Sequence, residues 1–150
     1  MKLIICRVKY AKMYIDNVLT EEIGNGLFCL LGITSEDSDK DVDFLIKKCA
    51  NMRIFSDEND KMNLSVKDIG GEILIEPNFT LCANIRHGNR PDFFGAMQPN
   101  NAKLLFNSFI SKLKADYPKI KAGVFGADMK TEVYMDGPVT IVADTKELLI

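Results

Sequence analysis

Two long segments of the chain place apolar residues at helical spacing. Between Asp39 and Arg53 an apolar residue recurs every three to four positions, at Val42, Leu45, Ile46 and Cys49. A second stripe follows after Asn100 and Asn101, at Ala102, Leu105, Phe106, Phe109, Ile110 and Leu113. This spacing predicts two amphipathic helices, because it places the apolar side chains on one face. We expect Asn100 or Asn101 to cap the second helix and Pro118 to stop it.

The remaining apolar runs have the length of strands. Asp16-Asn17 is a turn signal and predicts a tight hairpin. This hairpin covers Met13–Leu19, and the predicted strands are Lys2–Val8, Leu27–Ile33, Arg53–Phe55, Ile73–Ala83, Ile120–Phe125, Thr131–Met135 and Pro138–Ala143. Two helices with one apolar face each must pack on a sheet. The predicted fold is therefore α+β, one domain over residues 1–150, with a curved, barrel-like, mostly antiparallel or mixed sheet.

Two of the predicted strands are interrupted. Pro77 breaks the run from Ile73 to Ala83, and Gly137-Pro138 breaks the run from Met135 to Ile141. Proline has no N–H to donate to a ladder and is confined to strand edges and bulges. The breaks are the places where we expect the two strands to carry a functional group.

Composition restricts the class of protein. Apolar residues make up 47% of the chain and charged residues 27%, as in ordinary globular domains. No apolar run has the roughly 18 residues of a membrane span, and the N-terminus is too short and too early charged for a signal peptide. The four cysteines are widely spaced and no C-x-x-C pair occurs. We therefore expect a cytoplasmic protein with reduced thiols and no metal or other cofactor.

The charge distribution is uneven. The net charge is −2, which argues against a generally basic nucleic-acid coat. Residues 84–121 nevertheless contain seven lysines and arginines against two acidic residues. This zone is either a binding surface for a phosphate backbone or an ordinary solvated surface.

No familiar catalytic motif is present. The chain lacks a P-loop, a G-x-G-x-x-G and a G-x-S-x-G, and Asp57, Glu58 and Asp60 do not have the spacing of an EF-hand. A nucleophile needs an adjacent base, and the only histidine, His87, lies in a polar loop. Thr80 is thus a strand threonine or a nucleophile without a partner. Pattern and spacing leave the function open at this point.

A series of short motifs along nearly the whole chain resembles the D-aminoacyl-tRNA deacylase family. They are Cys6–Val8, Ile23–Leu27, Leu31–Ile33, Arg53–Asp57, Lys61–Leu64, Gly70-Gly71, Phe79–Leu81, Arg90-Pro91, Gly126–Met129 and Gly137–Thr140. The resemblance implies a homodimer that hydrolyses the ester between a D-amino acid, or glycine, and the terminal adenosine of tRNA. It also implies that each subunit contributes a cis Gly137–Pro138 bond to the other's pocket.

The resemblance also assigns residue roles. Backbone carbonyls at Gly137 and Pro138 would hold the substrate amino group and exclude an L side chain. Backbone N–H groups of Phe79 and Thr80 would stabilise the oxyanion while the substrate's hydroxyl or water attacks, with Thr80 orienting. Arg7 would brace the Gly-Pro segment, and Phe125 and Met129 would line the adenosine pocket. Core packing is the competing explanation for those three side chains.

The first family signature departs from its usual Ser-Gln-Phe-Thr-Leu. Pro77 and Asn78 stand where serine and glutamine are usual. By the same resemblance, Asn78 belongs to the predicted catalytic residues, with Phe79 and Thr80, and Pro77 belongs to the predicted substrate-binding residues of the chiral gate. A related deacylase that acts on wrongly attached L-alanine also has proline at this place, but it lacks the phenylalanine kept here as Phe79. Two alternatives therefore stay open: a deacylase of mischarged L-aminoacyl-tRNA, and a catalytically silent tRNA-binding dimer.

Overall fold

The computed structural model describes residues 1–149 and contains a mixed sheet with helices on one face. The strands are β1 (Lys2–Ile15), β2 (Val18–Ile23), β3 (Gly26–Gly32), β4 (Phe55–Ser56), β5 (Met62–Leu64), β6 (Glu72–Pro77), β7 (Ile120–Ala122) and β8 (Met129–Asp144). The helices are α1 (Asp39–Asn51), α2 (Pro99–Asp116) and α3 (Thr145–Leu148), and a short 3₁₀ helix covers Phe79–Cys82. None of the helices within residues 1–149 has the length and apolar character needed to cross a bilayer.

Strand β1 is the centre of the main sheet. One of its edges pairs with β3 and then with β2, and the other pairs with β8, all antiparallel. Beyond β3 the sheet continues with β6 and β7 in parallel register. The sheet curls until the end of β2 meets β6, where the Gly24 N–H donates to Glu72 Oε2 at 2.9 Å. The predicted α+β fold with a nearly closed, barrel-like sheet is thereby confirmed.

The sheet separates two apolar clusters. The larger lies between the sheet and the helices, where Leu45 of α1 and Phe109 of α2 are fully buried. The smaller lies on the other face of the sheet and includes Val8, Met13 and Leu74. Alternate residues of β6 and β3 serve the two clusters because side chains of a strand alternate between faces.

The predicted hairpin at Asp16-Asn17 is confirmed. Both residues have positive φ, 51° and 63°, which is the geometry of the tight hairpin turn that asparagine and aspartate favour. Strand β1 continues to Ile15, however, so the strand predicted to end at Val8 was too short. Helix α1 ends two residues earlier than predicted, at Asn51.

The prediction that a strand resumes after Pro77 was wrong, whereas the predicted interruption at Gly137-Pro138 appears as a break in the pairing of β8 with β1. After Pro77 the chain does not resume as a strand but turns into the 3₁₀ helix. Strand β8 is continuous through Gly137-Pro138, and the irregularity appears as a shift of its register against β1.

The start of α2 also differs from the prediction. Gln98 is the N-cap and Pro99 occupies the first turn, a position that proline favours because its missing N–H would have no helical partner. Asn100 and Asn101 are therefore inside the helix. Helix α3 was not predicted; Asp144 caps it by accepting from the Lys146 N–H at 3.1 Å.

Candidate active site

The first wall of the candidate site is the segment Pro77–Thr80, which leaves the sheet at the end of β6. The Asn78 N–H donates to the Leu31 carbonyl at 2.8 Å and extends the parallel ladder by one bond. Since N–H groups alternate in direction along a parallel strand, the nitrogen of Pro77 faces away from β3. On that side the pairing with β7 has ended at Ile75. Proline at position 77 therefore removes no ladder bond.

The side chain of Asn78 sets the conformation of the turn. Its Oδ1 accepts from the Thr80 N–H at 3.1 Å and also from the Thr80 hydroxyl. Beneath the turn, Leu81 packs so closely on Gly32 that a Cβ at Gly32 would lie 2.8 Å from Leu81 Cβ. The hydrogen-bonding cap and this close packing hold the segment in a 3₁₀ turn rather than a strand.

The hydrogen bonds show which groups of the Pro77–Thr80 segment are free. The Thr80 N–H and hydroxyl are both engaged by Asn78, whereas the Phe79 N–H has no acceptor among residues 1–149. Of the two predicted oxyanion donors, the Phe79 N–H is the one available to a ligand. The Phe79 ring is 60% exposed and meets the ring of Phe93 edge-on, with centroids 5.0 Å apart.

The second wall is the Gly-Pro turn, Gly137–Pro138 in β8. Cys6 of β1 pairs with Thr140 and Val8 pairs with Met135, so Arg7 alone faces the four residues between them. The excess residues bulge out of the ladder. The Gly137–Pro138 peptide bond is cis, and both residues are exposed.

Arg7 fastens the Gly-Pro turn to the body of the protein. Its Nε donates to the Asp136 carbonyl at 3.1 Å and lies 3.3 Å from Asp136 Oδ2, while its Nη1 donates to the Ile54 carbonyl at 2.6 Å. The Arg7 side chain is only 12% exposed. Gly137 has φ of +130°, and a Cβ there would lie 3.1 Å from Arg7 Nη2. Glycine is required by both the conformation and the space.

The two other side chains assigned by resemblance lie in different clusters. Phe125 packs against the larger core, with its ring 5.9 Å from that of Phe106. Met129 begins β8 and packs against the smaller core. Both are partly buried, and their role in binding adenosine stays a prediction.

Sequence reasoning missed three contributors to the site. Asp136 pairs with Arg7 and also with Lys9, at 3.2 Å, and the Ile54 carbonyl anchors the guanidinium. Phe93 supports Phe79 from the following loop. Only Asp136 had a signal in the sequence, because it directly precedes the Gly-Pro turn; the other two contacts join positions far apart along the chain.

No cluster of three or more histidine, cysteine, aspartate or glutamate side chains within residues 1–149 is arranged to hold a metal ion. Thr80 has no histidine or carboxylate as a hydrogen-bond partner in that part of the chain. An unassisted threonine hydroxyl is a weak nucleophile. The arrangement favours chemistry performed by fixed backbone groups.

Glu76 is a titratable residue that directly precedes the Pro77–Thr80 segment. It is partly buried, and burial raises the pKa of its carboxyl, although Thr131 Oγ1 donates to it at 2.5 Å. Because the folded pKa is above the unfolded one, the stability that this group contributes is present at low pH and is lost as pH rises through the folded pKa.

We therefore expect Glu76→Gln, which keeps an acceptor for Thr131, to raise the free energy of unfolding at about pH 7 and to change it less at about pH 4. Urea denaturation at the two pH values measures this. Glu58→Gln, in an exposed loop, is the matched control and should have little effect at either pH. An equal effect of Glu76→Gln at both pH values would contradict the assignment.

Comparison with known proteins independently identifies the family to which the chain is similar. The sequence pattern of the family described as "D-Tyr-tRNA(Tyr) deacylase" matches residues 4–144. A D-aminoacyl-tRNA deacylase of Fusobacterium nucleatum subsp. nucleatum is 51% identical over 147 residues, which are 98% of this chain and 97% of that protein.

Two solved structures share the fold. The "c-Myc DNA Unwinding Element Binding Protein" is 39% identical with a TM-score of 0.92, over 96% of this chain and 98% of that chain. A "probable eukaryotic D-amino acid tRNA deacylase" has a TM-score of 0.84 over 95% of this chain and 97% of that chain. At 12% identity the second likeness shows the fold alone. The family match and the 51% identical relative together show that this chain belongs to the D-Tyr-tRNA(Tyr) deacylase family.

Proposed function

We propose that the protein hydrolyses the ester of D-aminoacyl-tRNA and of glycyl-tRNA, releasing the amino acid and free tRNA. The observation that carries this proposal is the exposed Gly-Pro turn held by Arg7. A turn fixed in this way presents backbone oxygens to a ligand at constant positions. The 51% identical relative, named a D-aminoacyl-tRNA deacylase, supports the same reaction.

Chirality is read by the Gly-Pro turn in this proposal. The carbonyl oxygens accept hydrogen bonds from the substrate ammonium group, so the amino acid is held by a group common to all substrates. An L side chain then points into the turn and clashes, while a D side chain points away. Glycine has no side chain to exclude and is therefore accepted as well.

Hydrolysis is assigned to backbone groups and to the substrate itself. The free Phe79 N–H stabilises the negative charge that develops on the carbonyl oxygen. The neighbouring ribose hydroxyl or a water molecule attacks the ester. Thr80 keeps Asn78 in place through its hydrogen bonds and does not attack.

The two walls belong to one pocket only if a second chain takes part. Pro77 pairs with Leu31, which pairs with Leu3, which in turn pairs with Ala143. Three strand spacings and about five residues of β8 therefore lie between Pro77 and Pro138, a separation of about 20 Å. That distance exceeds the reach of one aminoacyl ester. We propose a homodimer in which each Gly-Pro turn completes the pocket of the other subunit.

The surface around the Gly-Pro turn suits such a contact. Val142 is 68% exposed, although its neighbours in β8 face the core. Met135, beside the turn, is also exposed. Exposed apolar side chains beside a functional element are typical of a protein interface.

A panel of aminoacyl-tRNAs tests the proposed function against its alternatives. The purified protein is expected to hydrolyse D-Tyr-tRNA and Gly-tRNA and to leave L-Tyr-tRNA and L-Ala-tRNA intact. Cleavage of L-Ala-tRNA in preference to D-Tyr-tRNA would instead support the deacylase of relaxed chirality. Binding of tRNA without any cleavage would support the silent RNA-binding dimer.

The role of Thr80 gives a separate prediction. Thr80→Ala removes the hydroxyl but keeps the backbone N–H and its bond to Asn78. We expect deacylation of D-Tyr-tRNA to fall by no more than about tenfold, well short of the 10²–10³ lost when an oxyanion donor is removed. Single-turnover rates measure this. Complete loss of activity with normal tRNA binding would contradict a mechanism that relies on backbone groups and the substrate.

A further inference from the structure

The loop of residues 84–94, which follows the 3₁₀ helix, is a closed hairpin-like projection. Asn84 and Asp92 exchange backbone hydrogen bonds at 2.8 and 3.1 Å. The Asp92 carboxylate is used inside the loop, since it accepts from Asn84 Nδ2 at 3.0 Å and from the Phe94 N–H at 3.3 Å. The one carboxylate of the 84–94 loop is therefore engaged in hydrogen bonds where the two ends of the loop meet.

The outer part of the 84–94 loop carries positive charge, and an exposed ring lies next to Phe93, where the loop ends. Arg86 and Arg90 are exposed, and neither forms an ion pair with a carboxylate within residues 1–149. Phe94 is 92% exposed and Ile85 is 74% exposed. Unpaired guanidinium groups and a bare aromatic ring on one loop are a combination that binds single-stranded nucleic acid, since the cations contact phosphates and the ring stacks on a base.

The 84–94 loop stands directly beside the candidate site. Phe93 at its base contacts Phe79 edge-on, with ring centroids 5.0 Å apart. Residues 86–90 form consecutive bends, so the loop projects no more than about 10 Å from the Asn84–Asp92 bridge. A strand of stacked bases advances about 3.4 Å per nucleotide, so the loop can follow no more than about three nucleotides.

We propose that the 84–94 loop binds the single-stranded nucleotides that precede the terminal adenosine of the tRNA substrate, with Phe94 stacking on a base and Arg86 and Arg90 contacting phosphates. The inference rests on the proposed function for the identity of the RNA. The 84–94 loop positions the 3′ end of the tRNA beside the Phe79 N–H and takes no part in ester cleavage.

Kinetics with a long and a short substrate test the positioning role. Arg86→Ala/Arg90→Ala and, separately, Phe94→Ala should each raise KM for D-Tyr-tRNA about tenfold with little change in kcat. Hydrolysis of 3′-O-(D-tyrosyl)adenosine, which has no preceding nucleotides, should stay at the wild-type rate. Lys103→Ala/Lys114→Ala, two exposed lysines of α2 in the same basic zone, is the matched control and should leave both rates unchanged.

The salt dependence of RNA affinity distinguishes a loop that contacts phosphates from a loop that only supports the fold. Mutation of the second kind of loop would leave this salt dependence unchanged. Each lost contact to a single-strand phosphate lowers the slope of log affinity against log salt by about 0.7. The arginine double variant loses two such contacts and should therefore show a slope shallower than wild type by about 1.4, and Phe94→Ala should keep the wild-type slope. An equal KM for the arginine variant and the lysine control would overturn the proposal, as would an equal loss on the short substrate.

Binding of tRNA separates failure of this inference from failure of the proposed function. The wild-type protein should bind tRNA lacking only its terminal adenosine about tenfold more tightly than tRNA lacking its last four nucleotides, and the arginine double variant should bind the two alike. Equal wild-type affinity for both RNAs refutes the loop's role whether or not the protein cleaves esters. A clear preference for the longer of the two RNAs, together with no cleavage of D-Tyr-tRNA or Gly-tRNA, supports the loop and refutes the hydrolytic function.

Discussion

Gly137→Ala is expected to lower the rate of D-Tyr-tRNA hydrolysis by about 10²-fold or more, because a displacement of about 1 Å in a positioning group has effects of that size. The added Cβ would lie 2.9 Å from the Val139 nitrogen and 3.1 Å from Arg7 Nη2. The φ of +130° at Gly137 is also one that side-chain-bearing residues rarely adopt. The turn must therefore shift, and its carbonyl oxygens move with it. Single-turnover hydrolysis measures the loss.

The matched control for Gly137→Ala is Gly24→Ala. A Cβ at Gly24 would meet only Glu72 Oε2, at 3.7 Å, which is ordinary contact. Gly24→Ala should keep wild-type activity, and both variants should keep the wild-type circular dichroism and tRNA binding. Full activity of Gly137→Ala would show that the Gly-Pro turn does not hold the substrate.

Phe79→Pro is expected to lower the rate by about 10²–10³-fold relative to Phe79→Ala, because proline removes the one N–H proposed to stabilise the oxyanion. The position suits proline, since Phe79 begins the 3₁₀ helix and its N–H has no acceptor among residues 1–149. Asn78 is extended, with φ of −142° and ψ of 94°, and so lies outside the α region that a following proline disfavours. Both variants lose the ring, so their difference isolates the N–H.

The comparison of Phe79→Pro with Phe79→Ala is made on 3′-O-(D-tyrosyl)adenosine as well as on D-Tyr-tRNA. The difference between the two variants should appear on both substrates, because the oxyanion forms at the ester itself. Equal rates for Phe79→Pro and Phe79→Ala would remove the Phe79 N–H from the mechanism.

The periodic parts of the fold were predictable from local pattern. Helices α1 and α2 follow from apolar stripes of 3.6-residue period, and the hairpin follows from Asp16-Asn17. The 3₁₀ helix at Phe79–Cys82 was mistaken for a strand because a mostly apolar segment of four residues is too short to show the hydrophobic periodicity of a helix. Its conformation depends on the Asn78 cap and on the contact between Leu81 and Gly32, and the second of these joins segments almost fifty positions apart.

The candidate site was found from the sequence by the two proline breaks and by motif resemblance, and not by a familiar catalytic motif. Resemblance pointed to Gly137, Pro138 and the segment from Pro77 to Thr80, but the free and occupied donors of that segment become visible only with the hydrogen bonds in place. The same holds for Arg7, whose guanidinium joins β8 to the Ile54 carbonyl. A long-range contact of this kind leaves no local signal.

The pocket shared between two chains is the central claim, and complementation between two inactive variants tests it most directly. In a mixed dimer of Phe79→Pro and Gly137→Ala chains, one pocket carries both changes and the other carries neither. Random mixing of co-expressed, differently tagged chains should restore about a quarter of wild-type activity, since half of the dimers are mixed and each has one intact pocket. If each pocket lies within one chain, every pocket carries one of the two changes. Purified mixed dimers that remain as inactive as either parent would contradict the shared pocket.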